Sequence, residues 1–262
     1  MNIENTNIIT AVEEEVKKMG FFKRIASLFV SPILLMRNIK SYPVIAPMLL
    51  LGMGLNLLLM PFWSRITEIS TGKLSEIMMA RHGQDYMDIF EGTQAALSNP
   101  ATTVIATVSA AISSMIAFLV ACVFQALVLF IVTKIARGGA KYAHYVSLYA
   151  HVLIITAIGS LITTPVMATV GTLLDVSSLA AIFMPSGDFS MIPYNILSAI
   201  TLFEILKCVL LVIGVREINE FPTSKAVGAV SIMFILSVAF TAATASSTVF
   251  FMEMAFNSVR SM

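Results

Sequence analysis

Long apolar stretches with hardly any charge alternate with shorter charged stretches along the chain. The core of a bilayer is about 30 Å thick, and about 20 apolar residues of helix are needed to cross it. Five stretches approach or exceed that length. They lie at about residues 44–62, 103–132, 146–170, 195–215 and 226–249. The pattern predicts an all-α fold, a polytopic membrane helix bundle with five transmembrane helices.

The composition supports a membrane protein and argues against several other classes. Of the 262 residues, 58% are apolar and 12% are charged, whereas soluble domains are about 25% charged. The net charge of +1 is too small for a basic nucleic-acid surface. Cys122 and Cys208 both lie inside apolar runs, which argues against a disulfide framework or a thiolate metal site. We therefore expect no nucleic acid, no metal and no cofactor.

The distribution of basic residues predicts the orientation of the spans, because positively charged loops stay in the cytoplasm. Basic residues precede the first span, and the link between the second and third spans carries Lys134, Arg137 and Lys141 without an acid. The stretch 65–100 holds five acids against three basic residues. This arrangement predicts an N-terminus inside and a C-terminus outside. We expect a multi-pass protein of a bacterial inner (cytoplasmic) membrane, with the lipid bilayer as its first partner.

The spans divide the chain into three parts. Residues 1–43 form a cytoplasmic arm with amphipathic interfacial helices, in which apolar residues from Phe21 to Phe29 oppose Lys23 and Arg24. Residues 44–250 form the membrane domain, whose outer segment at about 65–100 should contain helical pieces broken near Gly83 and Gly92. Residues 251–262 form a short outer tail.

The fourth span is the only one with internal charges, Glu204 and Lys207. A charge at the centre of a membrane helix costs about 2.5–3.5 kcal/mol on insertion scales. On a continuous helix Ser198 and Thr201 share a face with Glu204. This polar face either contacts an ion, a proton or a lipid headgroup, or it holds an internal ion pair that fixes helix packing. A third possibility is that the span starts later, with both charges at the membrane interface.

Small residues in the second and fifth spans predict close helix packing, since small side chains let membrane helices approach each other. In the fifth span, residues 241–247 contain nothing larger than threonine. We expect both spans to be central packing helices. The second span carries two ladders of small residues at four-residue steps, namely Ala106, Ala110 and Ser114, and Ser113, Ala117 and Ala121.

Two histidines lie near the start of the third span. His144, Ser147 and His151 share a helix face, with several tyrosines close by in sequence. A zinc site would need a further ligand, and a spacing of seven is not a zinc signature. Interfacial aromatic and histidine side chains are typical of membrane helices, so we interpret His144 and His151 as interfacial residues.

No catalytic motif is present, neither a phosphate-binding loop, nor a His-Glu-x-x-His pair, nor a Gly-x-Ser-x-Gly elbow. The sequence therefore favours a non-enzymatic protein that associates with membrane-protein partners or with its own copies, or that organises the membrane. The alternative is a transporter or channel-like conduit that uses Glu204 and Lys207. An intramembrane enzyme would require Gln125, His151 and Glu204 to converge on a water-filled pocket.

Three stretches resemble the bacterial branch of the Yip family, the Ypt-interacting protein domain. Residues 21–50, FFKRIASLFVSPILLMRNIKSYPVIAPMLL, resemble its pattern of an apolar helix, Ser-Pro, a second short helix and prolines opening the first span. Residues 138–165 resemble its Gly-rich turn and third span, and the segment IGVREINEFPTSKAVGAV, within residues 202–235, resembles its last inter-span junction. The resemblance implies five spans and a cytoplasmic N-terminus.

The same resemblance implies what kind of partner to look for. Eukaryotic members are linked to small GTPases of the Rab class and to vesicle traffic, and some bacterial members accompany ABC-type export systems. The short arm and the long outer stretch depart from the eukaryotic pattern, so Rab binding is not carried over. The resemblance thus favours association with other membrane proteins, including an export system.

Overall fold

The computed structural model describes residues 17–83, 100–184 and 191–260. Within them the chain folds into ten helices, joined by short links and one isolated β-bridge between Ser178 and Thr201. The helices are α1 (Phe21–Val30), α2 (Pro32–Ser41), α3 (Ala46–Leu57), α4 (Met60–His82), α5 (Pro100–Ile135), α6 (Tyr142–Val170), α7 (Leu179–Phe183), α8 (Ile192–Ala199), α9 (Leu202–Asn219) and α10 (Thr223–Arg260).

The all-helical membrane architecture is confirmed for this part of the chain, but only some of the expected spans are. Three segments are long and apolar enough to cross a bilayer, namely Val108–Ile135, Tyr142–Val170 and Thr223–Thr244. The bent pair α3–α4 adds a fourth if it is counted as one span. Helix α9 is not among them, because its eighteen residues include four charged side chains. Those are Glu204, Lys207, Arg216 and Glu217.

The first predicted span, 44–62, is not a straight helix. Helix α3 ends at Leu57, and α4 continues after a bend of 58° as far as His82. Gly83 follows with a φ of 65°, a left-handed conformation that a residue without a Cβ adopts easily, and so ends the helix. The expected break near Gly83 is therefore present. The expected break near Gly92 lies outside the described residues.

Helix α6 occupies the centre of the described part of the bundle, where the sequence analysis expects the second and fifth spans. All eleven residues from Tyr145 to Ile155 are buried. In the span of α6 44% of the apolar window is buried, against 17% in α5 and 28% in α10. Close approach depends on glycine here, because a Cβ on Gly214 of α9 would lie 2.4 Å from Leu148 Cδ1. The glycine lets α9 pack directly on α6.

The arm, the α5–α6 link and the α9–α10 link meet at one end of the bundle, which we call the arm end. Arg37 of α2 donates to Glu217 of α9 over 2.9 Å, and Lys40 pairs with Glu220. Asn219 Oδ1 accepts from the backbone N–H of Ala140 over 3.3 Å. These contacts place the arm and the two links on the same side of the bundle.

Helix α1 presents a different face to the bundle from the one its pattern predicts. Arg24, expected on the polar outer side, is only 1% exposed, whereas Phe22 is 83% exposed. The guanidinium of Arg24 donates to Asn38 Oδ1 (2.6 Å) and to the carbonyl oxygens of Tyr42 (2.9 Å) and Met19 (3.2 Å). These acceptors, two near the end of α2 and one before α1, compensate the buried charge. The phenylalanines of α1 therefore face outward.

Candidate functional site

A polar cavity lies inside the bundle at the end opposite the arm. Its volume is about 270 Å³, and it is partly open to the outside. Helices α5, α6, α8, α9 and α10 and the loop after α6 supply its wall. Ten of its fifteen lining residues are polar, namely Gln125, Thr156, Ser160, Asp175, Ser198, Thr201, Glu204, Lys207, Ser237 and Thr241. We call this space the polar cavity.

The start of α9 brings the charged pair into the polar cavity. The hydroxyl oxygen of Thr201 accepts from the backbone N–H of Glu204 over 3.1 Å, so Thr201 is the N-cap of α9. A carboxylate in the first turn is favoured by the helix dipole. Lys207 follows one turn later, and its Nζ is paired with Glu204 Oε2. The ion pair therefore stands at the first two turns of a helix and not at the middle of one.

The expected fourth span, 195–215, is two helices rather than one. Helix α8 ends at Ala199 and α9 begins at Leu202, with the chain extended between them. The β-bridge between Ser178 and Thr201 fills this gap, where Leu179 N–H donates to Ile200 O and Leu202 N–H to Ser177 O. The backbone groups at this break therefore form hydrogen bonds with the neighbouring loop and not within a helix. The prediction that the fourth span starts later is correct for α9. Lys207 is nevertheless only 3% exposed, so it is not freely solvated.

The same loop carries Asp175 into the polar cavity. Asp175 Oδ1 accepts from the backbone N–H (2.8 Å) and the hydroxyl (2.7 Å) of Ser177, and Oδ2 accepts from the hydroxyl of Thr163 (3.3 Å). Turns of this kind, closed by an aspartate side chain, fix a loop locally. Asp175 forms no ion pair with any described residue. The cavity wall thus carries two carboxylates and one ammonium.

The predicted polar site lies together in space. Ser198, Thr201, Glu204 and Lys207 all line the polar cavity, although Ser198 belongs to α8 and the others to α9 and its cap. The sequence analysis does not identify Asp175 or the hydroxyls of α6 and α10 as part of the site. The signature Thr-x-x-Glu at 201–204 is typical of a helix start and would have revealed the true beginning of α9.

The two histidines occupy different surroundings. His144 Nδ1 accepts from the backbone N–H of Lys141 over 3.1 Å and so caps the start of α6. His151 is 1% exposed at the centre of the bundle, with Nδ1 2.7 Å from the carbonyl oxygen of Ser147. His151 is therefore buried inside the protein, because every face of α6 is packed at this level. It does not line the polar cavity, which brings Gln125 and Glu204 together without it.

The small-residue ladders of α5 lie largely on its outer side. Ala110, Ser113 and Ala117 are exposed, and Ser114 and Ala121 are partly buried. The backbone of Ala106 is helical, but its side chain is not among those described. The residues of α5 that pack against the bundle are instead Cys122, Ala126 and Leu129, each fully buried. Contact of the ladders with another protein stays a prediction.

The chemistry available in the polar cavity is that of binding. Among the described residues, no three His, Cys, Asp or Glu side chains are grouped in a way that could hold a metal ion. Cys122 and Cys208 are both free thiols. The cavity offers charges, hydroxyls and an amide, which are groups that orient a small polar molecule by hydrogen bonding.

Comparisons with family models, with curated proteins and with solved structures found no match for this chain.

Proposed function

We propose that this chain is a non-enzymatic membrane protein that binds a small polar solute in the polar cavity and conducts it across the membrane. The observation that carries the proposal is the cavity wall of ten polar residues, built around the Glu204–Lys207 pair, inside an otherwise apolar bundle. Polar groups at membrane depth are costly, and they typically mark solute or ion pathways. A purely structural ion pair needs no cavity beside it.

The proposal includes five crossings with the N-terminus in the cytoplasm of a bacterial cell. Its support is that the arm, the basic α5–α6 link and the neutral α9–α10 link meet at the arm end, whereas α9 begins at the polar cavity at the opposite end. Helix α9 has eighteen residues, about 27 Å of helix at 1.5 Å per residue, which is close to the thickness of the bilayer core. Membership of the Yip family is proposed on the sequence resemblance alone.

Uptake into proteoliposomes tests the proposed function. We expect the purified chain to take up at least one member of a panel of small solutes (ethanolamine, glycine, glycolate and glycerol) faster than protein-free liposomes. Ser237→Leu should abolish that uptake, because leucine fills the cavity from α10. Ala239→Leu, two residues away on an exposed part of α10, is the matched control and should not change it. Uptake of no member of the panel contradicts the proposal.

Association with another membrane protein, or with a second copy, is the second candidate function. The observation that favours it is the exposed position of Ser113 and Ala117, one turn apart on α5. Small exposed residues let two helices approach closely in lipid, where apolar area alone gives no driving force. Purification in mild detergent should recover a complex that Ala117→Leu weakens. Recovery of a monomer without any co-purifying membrane protein would contradict this function.

A further inference from the structure

Three of the six hydroxyl groups that line the polar cavity have already used their protons. Ser198 donates to the carbonyl oxygen of Asn195 (3.0 Å) and Thr156 to that of Leu153 (2.9 Å). Ser237 donates to the sulfur of Met233 (3.5 Å). A hydroxyl carries one proton and two lone pairs. These three groups therefore offer a ligand only lone pairs, which accept hydrogen bonds.

The amide of Gln125 adds another acceptor. Its Oε1 atom is buried and has no hydrogen-bond partner in the structure. A buried carbonyl oxygen without a partner is unfavourable, so a ligand that donates a hydrogen bond to it removes that cost. Gln125 lies on α5, across the cavity from the start of α9. The residue that carries the unpaired acceptor therefore lines the same cavity as the charged residues.

The charges of the cavity point to the same kind of ligand. Asp175 and Glu204 contribute two negative charges, and Lys207, the one cation among the described lining residues, is already paired with Glu204. The formal balance of the wall is thus −1, with Asp175 free of any described cation. Every described basic residue apart from Lys207 lies elsewhere than on the wall. A positively charged ligand would complete the charge balance.

We infer that the polar cavity binds the ammonium group of a small primary amine, with Asp175 as its counter-ion. The inference rests on the proposed function and names its substrate class. A primary ammonium carries three N–H donors and one charge, which matches the lone pairs of Thr156, Ser198 and Ser237 and a carboxylate, Asp175, that has no cation among the described residues. The cavity volume equals that of about nine water molecules, so the amine has few non-hydrogen atoms.

Other ligand classes fit less well. A carboxylate would meet acceptors and a negative wall. A neutral polyol could donate hydrogen bonds but would leave the charge of Asp175 unpaired. A quaternary ammonium carries the charge but has no N–H to offer to Gln125 Oε1 or to the hydroxyl oxygens. The structure therefore distinguishes between molecules of similar size.

Equilibrium binding of four related probes to the full chain in detergent tests the inference. The probes are ethanolamine, choline, glycolate and ethylene glycol, which share a hydroxymethyl end and differ in charge and in N–H donors. We expect ethanolamine to bind at least about tenfold more tightly than choline or ethylene glycol, since charge-assisted hydrogen bonds are the strong ones. Glycolate should not bind measurably.

Variants connect the binding to the site. Asp175→Asn removes the charge but keeps an acceptor for Ser177, and it should weaken ethanolamine binding at least about tenfold. Gln125→Leu should weaken ethanolamine binding several-fold. Because Gln125 lies on α5, this effect does not depend on the loop that carries Asp175. Glu220→Gln, exposed at the arm end, is the matched control and should bind as the unmodified chain does. Unchanged binding by both Asp175→Asn and Gln125→Leu overturns the inference.

The same ammonium chemistry occurs in a free amine and in an ethanolamine lipid headgroup. Binding is therefore repeated in nanodiscs made of phosphatidylcholine alone and of phosphatidylcholine with phosphatidylethanolamine. Competition by the ethanolamine lipid that depends on Asp175, with no uptake of free ethanolamine, would support the ammonium site and contradict the proposed solute conduction. Preferred binding or uptake of glycolate or ethylene glycol would contradict the ammonium site and support the proposed solute conduction. If none of the four probes binds and none is taken up, the ammonium site and the solute conduction are both contradicted.

Discussion

Lys207 Nζ is paired with Glu204 Oε2 one turn away on α9, and the lysine side chain is 4% exposed against 27% for the glutamate. The cation is therefore the buried partner, and the carboxylate is the partner that reaches the polar cavity. Removing the carboxylate would leave a buried charge without compensation. Replacing both groups would remove the charge altogether.

Glu204→Gln should therefore lower the free energy of unfolding by about 1–3 kcal/mol, less than for a fully buried pair because Glu204 is partly exposed. The double variant Glu204→Gln with Lys207→Met should return to within about 1 kcal/mol of the unmodified chain. Thermal or denaturant unfolding in detergent measures both. A double variant less stable than the single one would show that the pair stabilises the bundle in its own right.

Glycines on α9 and α10 should respond in opposite directions to the same substitution. A Cβ at Gly214 would lie 2.4 Å from Leu148 Cδ1, and Leu148 is fully buried, so Gly214→Ala should cost about 1–3 kcal/mol by overpacking. Gly228 has nothing within 4 Å of such an atom, and Gly228→Ala should stabilise the helix by about 0.5–1 kcal/mol. Unfolding midpoints of the two variants on the same side of the unmodified value would contradict the packing of α9 on α6.

The contact between the arm and α9 should depend on pH. Partial burial by itself would raise the pKa of Glu217, but hydrogen bonds from Arg37 and Arg216 outweigh it and hold the pKa below its usual 4.5. Since the pKa is depressed in the folded state, this contribution is present above pH 4.5 and is lost as the pH falls through the folded pKa.

Glu217→Gln should thus lower the stability by about 1 kcal/mol at pH 7, and the difference should shrink as the pH falls below 4.5. Unfolding curves of the two proteins across that range measure it. The matched control is Glu220→Gln, which removes the other ion pair of the arm. Its carboxylate is 79% exposed, and although the hydrogen bond from Lys40 lowers its pKa, we expect little change in stability. A constant difference for Glu217→Gln from pH 7 to pH 3 would contradict the contact.

The crossing of α9 can be tested without reference to function. Val176 in the loop beside the polar cavity and Ser224 at the start of α10 are both exposed and lie at opposite ends of α9. In a background with Cys122→Ala and Cys208→Ala, Val176→Cys and Ser224→Cys should react with an impermeant thiol reagent from opposite faces of sealed vesicles. Reaction from the same face would mean that α9 does not cross, and five spans would be wrong.

The sequence predicts much of this architecture because apolar length is sufficient to identify a membrane helix. Helices α5, α6 and α10 follow from it directly, and the first helix of the arm follows from its amphipathic spacing. The break before Thr201 was not predicted, because the apolar pattern of 195–215 continues through it and only the capping signature marks the helix start. The inward orientation of the Arg24 side chain was also not predicted. It depends on hydrogen-bond acceptors supplied by α2, which no pattern within α1 reveals.

The site itself was half predictable for a similar reason. Glu204, Lys207, Ser198 and Thr201 stand out because charge and polarity are unusual inside an apolar run. Asp175 does not stand out, since an acid in a loop is ordinary, and its position depends on the β-bridge between Ser178 and Thr201. The hydroxyls of Thr156 and Ser237 are equally ordinary in membrane helices, where they bond to their own helix. Only the packing of α6, α9 and α10 brings them together.

The central claim is that a hydrated polar cavity that admits an amine exists inside a bundle otherwise exposed to lipid. In the cysteine-free background, Ser237→Cys and Ala239→Cys place a thiol on the cavity wall and on an exposed, lipid-facing position two residues away. A thiol must ionise to react, which requires a polar environment. We predict that methanethiosulfonate ethylammonium modifies Ser237→Cys in liposomes, that ethanolamine protects it, and that Ala239→Cys stays unmodified. Equal reactivity of the two positions, or no reaction at Ser237→Cys, would contradict the account.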